Sequence, residues 1–356
     1  MKILEREIGS IDFAENQTRT LQLPRNYAYR KLYLLLIASM SRASTTPNAG
    51  DSKDSAPAQL VRNIMIRANG RDVIKNYDFE TLHRLCQQRH STRPFIYSED
   101  WSGYANKSQV TLKVAAEIDF EMWRSVRPID TLLDSAGLAT LELIITWGTG
   151  RDTMNDAWPG TGTSPSVTVH SATLFVGSCE AVGVPAGTQF MTNKEFMIRS
   201  QVTAASSQHQ IILPVSNLYR SIVLKTHSDG NQVDSILPFG ITNQNSITLK
   251  SGTEVFKYRI AGLLQADNRL EYAMEVPERT GTVAALNHRL QELLQEGYYI
   301  LEFVKDGHLT ECLDTSRLSG LELVLNVAHP GTVDFIDIYC VELIAPPIQV
   351  NAQKAG

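Results

Sequence analysis

Cysteine and histidine are the side chains best suited to hold a metal or to attack a carbonyl, and this chain spreads both thinly. Cys86, Cys179, Cys312 and Cys340 form no C-x-x-C pair, so the clustered donors of a tetrahedral zinc site are missing and buried free thiols are expected. The eight histidines form no H-E-x-x-H. His83 and His288 fall on predicted helices and read as satisfied or solvated side chains. Gly148, Gly150, Gly160 and Gly162 crowd the segment 146–165, without G-x-G-x-x-G and without a lysine to cradle phosphate. In that segment Asp152, Asn155 and Asp156 offer oxygens to Ca²⁺. Their spacing fits no EF-hand, so a solvated loop is the plainer reading of this weak metal candidate.

Nucleophilic and acid–base chemistry fare no better. There is no G-x-S-x-G elbow. Carboxylates could be paired across a cleft, as in glycoside hydrolysis. Yet Asp134 and Asp314, like Glu142 and Glu322, stand at matching places in two halves of the chain. A catalytic pair is needed once, whereas a turn or cap is needed in every copy of a fold. We therefore expect no catalytic residue and no cofactor.

The elements that would position any site come in two copies. Leu23-Pro24, Tyr29-Arg30 and Leu32-Tyr33-Leu34 return as Leu213-Pro214, Tyr219-Arg220 and Ile222-Val223-Leu224, 190 residues on. The run 64–75 is echoed by 246–257, an offset of 182. Leu133-Asp134, Leu138 and Leu141-Glu142-Leu143 match Leu313-Asp314, Leu318 and Leu321-Glu322-Leu323, an offset of 180. Collinear blocks with drifting offsets mean two tandem domains that differ in loop length.

Each copy reads as strands. Val110, Leu112, Val114, Ala116, Ile118 and Phe120 alternate with other residues, as do Leu141, Leu143, Ile145 and Trp147. That is the period of a half-buried strand. Val333, Phe335, Tyr339 and Val341 alternate too, with Asp337 breaking the set, while 32–38 reads as a strand buried on both faces. Asn69-Gly70 suits a two-residue hairpin turn with positive φ, and Ser251-Gly252 supplies the same chemistry later. Helices are few: Asp78 can cap one carrying Phe79, Leu82, Leu85 and Cys86 on one face, and Thr282 another with Leu286, Leu290, Leu293 and Leu294.

About eight strands per copy, without a helix after each, predicts an all-β chain of two tandem jelly-roll sandwiches. The expected boundaries are an N-terminal arm at 1–12, a first sandwich at 13–180, a linker at 181–206, a second sandwich at 207–345 and a C-terminal tail at 346–356. The segment 39–59 reads as a low-complexity loop.

Composition agrees with two globular domains: 356 residues, 43% hydrophobic and 20% charged. A net charge of −5 leaves no broad basic face for a nucleic-acid backbone, so no direct contact with nucleic acid is expected. No run approaches the ~18–20 apolar residues of a bilayer span. The first residues lack a signal-peptide core, so a cytosol-like compartment is expected.

Strand–Asn69-Gly70–strand–helix in one half, and 297–301 through Leu313-Asp314 to Leu321-Glu322-Leu323 in the other, resemble the double jelly-roll major capsid proteins of membrane-containing icosahedral bacteriophages, the corticovirus- and tectivirus-like lineage. The resemblance runs over residues 10 to 345. It implies a structural protein of the virion, present in host cytoplasm during assembly, that forms homotrimers with a pseudo-hexagonal outline. It further implies neighbouring capsomers, penton and minor capsid proteins as partners, and an inner lipid membrane nearby. Residues 1–12 lie outside the duplicated blocks, and this N-terminal arm is expected to dock on an adjacent sandwich at the inner side of the shell and help lock subunits together. Other assignments fit the same features: a minor capsid or other virion protein, or a glycan-binding or glycan-cleaving tandem sandwich with Trp101, Tyr104 and Trp158 as platforms.

Overall fold

The computed structural model describes residues 2–43, 53, 55–92, 94, 96–97, 109–154, 166–185, 188–229, 231–232, 234–237, 246–272 and 297–345. The first half holds β1 (Lys2–Asp12), β2 (Thr18–Gln22), β3 (Ala28–Ala43), β4 (Val61–Ala68), β5 (Asp72–Tyr77), helix α1 (Phe79–His90), β6 (Ile96–Tyr97), β7 (Gln109–Asp119), β8 (Leu133–Asp134), β9 (Leu141–Trp147) and β10 (Ser166–Val182). The second holds β11 (Thr192–Val202), β12 (Ser206–Leu213), β13 (Leu218–Ser228), β14 (Asn231–Gln232), β15 (Ser246–Ser251), β16 (Glu254–Ile260), helix α2 (Ala261–Glu271), β17 (Tyr298–Glu302), β18 (Leu313–Asp314), β19 (Leu321–Val327) and β20 (Asp334–Ile344).

In the first sandwich the sheet β1-β10-β3-β7-β6 covers β2-β9-β4-β5. Leu34 and Leu36 from β3, Leu112 and Val114 from β7, and Leu143 and Ile145 from β9 meet in its core. In the second, β11-β20-β13 with β17 covers β12-β19-β15-β16 around Ile222, Leu224, Leu249, Leu323 and Ile338. The expected all-β double jelly roll is the fold. Burial alternates identically along β9 and β19, which lie 180 residues apart.

The repeated motifs are repeated turns. Asp134 Oδ1 accepts the Ala136 amide at 3.1 Å, and Asp314 Oδ1 the Ser316 amide at 2.9 Å. Beside them the buried hydroxyls of Ser135 and Thr315 donate to the carbonyls of Tyr27 and Asn217 at 2.5 and 2.6 Å. These carboxylates hold short local turns, the role that recurrence in both copies suggested.

Several expectations need correction. Residues 2–12 are not an arm outside the sandwich. They form β1, antiparallel to β10 from Lys2↔Val182 to Asp12↔Thr173, the outermost strand of the chain's own first sheet. The linker 181–206 contains β11, paired along its length with β20. β3 runs on to Ala43, into the expected low-complexity loop. It is buried on one face only: Leu32, Leu34, Leu36 and Ala38 point inward, whereas Tyr33 is 37% exposed and Leu35 and Ile37 are half-buried.

In β20 the core set is Ile336, Ile338 and Cys340; the alternation read at Phe335, Tyr339 and Val341, with Asp337 breaking it, is the opposite face, and Val333 precedes the strand and is exposed. The first hairpin loop has three residues, 69–71, between the pair Ala68↔Asp72, with Asn69 at φ 53° and Gly70 at φ 74°. The second has two, Gly252-Thr253, with Gly252 at φ 56°. The expected helix capped by Thr282 and the tail 346–356 lie outside the described residues.

Candidate functional site, the joint between the sandwiches

Polar burial concentrates where the two sandwiches meet, and helix α1 builds most of it. Asp78 caps the helix by accepting the Thr81 amide at 2.6 Å. Phe79, Leu82 and Leu85 then face the first core, as expected. The other faces are polar and yet Glu80, Thr81, Arg84, Gln88 and Arg89 are buried. Glu80, Thr81, Arg84 and Gln88 meet side chains of β13, β17 and β20 of the second sandwich, and Arg89 meets Glu195 of β11.

Lys225 of β13 reaches across to Glu80 at 2.6 Å, to Thr81 Oγ1 at 3.0 Å and to Asp78 at 3.3 Å. Arg84 holds the other Glu80 oxygen at 2.9 Å, and Tyr339 donates its hydroxyl to Asp78. Burial works against the Asp78 carboxylate, but the Lys225 ammonium and these hydrogen bonds outweigh it and hold its pKa at about 2. For Lys225 the same carboxylates overcome burial and raise its pKa.

At the other end of α1, β5 and β11 touch through one parallel bridge, Lys75 beside Glu195, which joins the inner sheet of the first sandwich to the outer sheet of the second. Lys75 Nζ lies 2.5 Å from Glu195 Oε1, and Arg89 lies 2.6 Å from Glu195 Oε2 and 3.3 Å from Asp119. Arg89 and Arg220 also lie over the same indole, Trp123, at 4.7 and 4.9 Å from its centroid. Removing one partner from such a buried pair strands the other, which costs about 3–5 kcal/mol.

Among the described residues one group has the spacing of a metal site: His90, Glu117 and Asp119 offer ligand atoms within 4.8 Å of one another. Cations already fill that role. Lys31 lies 3.2 Å from Glu117 and 3.5 Å from Asp119, and Arg89 completes the neutralisation. Burial opposes the Asp119 charge, but the His90 ring 3.3 Å away and the Arg89 cation keep its pKa below the usual carboxylate range. A groove of about 1320 Å³ opens between the sandwiches, lined in part by Asn69, Asp134, Lys194, Phe196 and Glu342, with neither cysteine nor histidine on its wall.

The residues singled out from the sequence are scattered by the fold. Asp152 Oδ2 accepts the Thr149 amide at 2.6 Å and lies 2.7 Å from Arg62. That oxygen serves a capping box. Its expected Ca²⁺ companions Asn155 and Asp156 lie outside the described residues, as do Gly160, Gly162, Trp101, Tyr104, Trp158 and His288. Gly150 is a packing residue, since a Cβ there would stand 2.8 Å from Val167 Cγ1. His83 is fully buried, with Nδ1 2.7 Å from the Ala115 carbonyl. The four cysteines are buried thiols, far apart in the sequence. Nothing in the sequence pattern marks the joint itself. The Glu80–Arg84 pair reads as an exposed i,i+4 bridge until the second sandwich is set on top of it.

No protein-family model matches the chain, and no curated protein does. Solved structures match over nearly its whole length. The STIV MCP covers 97% of this chain with 98% of its own, at 16% identity and a TM-score of 0.67. A chain from the atomic structure of Sulfolobus turreted icosahedral virus matches at 16% identity with a TM-score of 0.69, over 97% of this chain and 92% of that one. The major capsid protein P2 of bacteriophage PM2 matches at 10% identity and 0.56, over 97% and 99%. At these identities the likeness is one of fold.

Proposed function

We propose that this chain is a major capsid protein, the repeating structural subunit of an icosahedral virus shell. Coverage carries the reading: 97% of this chain matches 98% of the STIV MCP and 99% of the PM2 protein, so the likeness takes in both sandwiches and the joint between them. In this reading the chain assembles as a homotrimer whose six sandwiches give a pseudo-hexagonal capsomer. Neighbouring capsomers, penton and minor capsid proteins, and a membrane beneath the shell are its partners. The role is structural, with no catalytic step, and the paired Asp134/Asp314 turns fit that role.

Light scattering on the purified full chain, joined to electron microscopy, tests this. The expected mass is about 119 kDa, three copies of 39.6 kDa. A stable monomer at micromolar concentration that forms no capsomers or particles would overturn it.

A further inference from the structure

The internal duplication indicates what covers the bare faces at the two ends of the chain. Inside the chain, β5 of the first sandwich meets β11 of the second. The corresponding strands are β16 and β1, and each is the last strand of its sheet among the described residues. Open edges of this kind are pairing surfaces.

Strand registers fix the equivalence residue by residue. Glu5 lies opposite Cys179, which lies opposite Lys31; Glu195 lies opposite Val341, which lies opposite Ser221. Lys31 and Ser221 are 190 residues apart, so Glu5 occupies the place of Glu195. Bulges after Ile66 and Leu249 likewise put Lys257 in the place of Lys75. The buried pair Lys75–Glu195 therefore has an unmade counterpart in Lys257 and Glu5. At the positions that would meet, the edges carry opposite charge: Glu5 and Glu7 are exposed on β1, and on the other edge burial and the neighbouring Lys305 and Arg259 cations lower the pKa of Lys257.

The faces beside these edges match in shape as well. Thr81 of α1 meets the hydroxyls of Tyr339 at 3.1 Å and Tyr298 at 3.4 Å. On α2 the place of Thr81 is taken by Leu263, 60% exposed, and that of Gln88 by Leu270, 86% exposed. On the outer face of the first sandwich, the places of Tyr298 and Tyr339 are taken by Ala115 and Gly177. A small residue against two large ones becomes a large residue against two small ones. The ion pair Lys225–Asp78 becomes Leu35 and Ile260, with the partly exposed rings of Tyr33 and Phe175 alongside.

We propose that the outer face of β1-β10-β3-β7 of one copy docks on the β16–α2 face of a second copy, with Glu5–Lys257 standing for Glu195–Lys75 and Leu263 seated over Ala115 and Gly177. The number of copies rests on the capsid reading above; the contact is heterologous and head-to-tail, and it closes into a ring when its rotation allows. The chemistry divides as the physics requires. Within the chain a covalent link supplies effective concentration, so the joint can be polar; between chains affinity must come from buried apolar surface around one charged register pair.

Dilution series of the full-length chain, followed by sedimentation and light scattering, test the contact. Lys257→Glu and Leu263→Glu should each raise the dissociation concentration at least about tenfold. Glu5→Lys combined with Lys257→Glu should recover most of that loss. A chain carrying both Gly177→Cys and Leu263→Cys should form interchain disulfides on oxidation, and its unoxidised circular dichroism and melting should show that it folds. A trimeric wild type unaffected by Lys257→Glu and Leu263→Glu, with no crosslink, would overturn this docking and leave the capsid reading standing. A wild type that stays monomeric would overturn both.

Discussion

Tyr29 and Tyr219 make the same hydrogen bond in the two sandwiches: each hydroxyl donates to the carbonyl of the proline five residues earlier, Pro24 at 2.6 Å and Pro214 at 2.7 Å. Both side chains are fully buried. Tyr29→Phe and Tyr219→Phe each leave a carbonyl without its donor, and each should cost about 1–2 kcal/mol in urea unfolding. A neutral result for one and a large loss for the other would show that the two positions do not carry the same load.

Lys225 neutralises Asp78 and Glu80 across the joint. Lys225→Met should lower stability by about 3–5 kcal/mol, because it leaves two carboxylates facing an apolar side chain. Adding Glu80→Gln should restore part of the loss in thermal melting. An unchanged melting temperature for Lys225→Met would mean that the ion pairs do not hold the sandwiches together.

Acid should loosen the same joint. The Asp78 pKa is held at about 2, below the unfolded value of about 3.9. A depressed carboxyl pKa contributes stability above the unfolded value, lost as pH falls through the folded one. The contribution, on the order of 2 kcal/mol, should thus be intact at pH 5 and disappear between about pH 4 and 2. Asp78→Asn should flatten that part of the stability profile; an unaltered profile would remove Asp78 from the account.

Burial pushes the Cys86 thiol up to about 12 and the Cys312 thiol up to about 11, and raises those of Cys179 and Cys340. Thiolates are the reactive species, so all four should resist alkylation at pH 8 in the folded chain and react on unfolding. Mass spectrometry of alkylated protein reads this directly. Fast labelling of Cys86 under native conditions would contradict its place in the core.

Asp152 closes its capping box and binds Arg62. Asp152→Ala should lose about 1 kcal/mol, equally with and without Ca²⁺. A wild-type melting temperature that rises with Ca²⁺, while that of Asp152→Ala does not, would instead return Asp152 to a metal role.

What was legible in the sequence was whatever repeats or alternates. The Leu133-Asp134 and Leu313-Asp314 turns, the β7 and β9 alternations and the Asp78-capped helix all follow from local pattern, and together they predicted the double jelly roll. β1 was not legible as a strand of the sandwich, because residues 1–12, with the charges Glu5, Arg6 and Glu7, lie outside the duplicated blocks and read as a free arm. Only the ladder with β10 and the Arg6–Glu180 pair at 2.9 Å show why those charges sit there. The joint was hidden for a related reason. Apolar periodicity finds the face of α1 turned to its own core, and Glu80, Arg84 and Arg89 look solvated until a second body covers them. The β20 alternation shows the same limit: both faces of that strand are covered, so its phase could not be settled from the odd residues alone.

The Lys75–Glu195 bridge and the α1 ion pairs also have a mechanical meaning. A hinge between the sandwiches would have to pull Lys75 and Arg89 from Glu195 and leave buried charges without partners, a penalty of several kcal/mol for a small rotation. The chain should therefore bend little and behave as one stiff plank. If such planks tile a closed surface, curvature cannot be absorbed inside them. It falls to the contacts between chains, where aliphatic faces around Leu263 and Leu35 can slide by a fraction of an ångström at far lower cost.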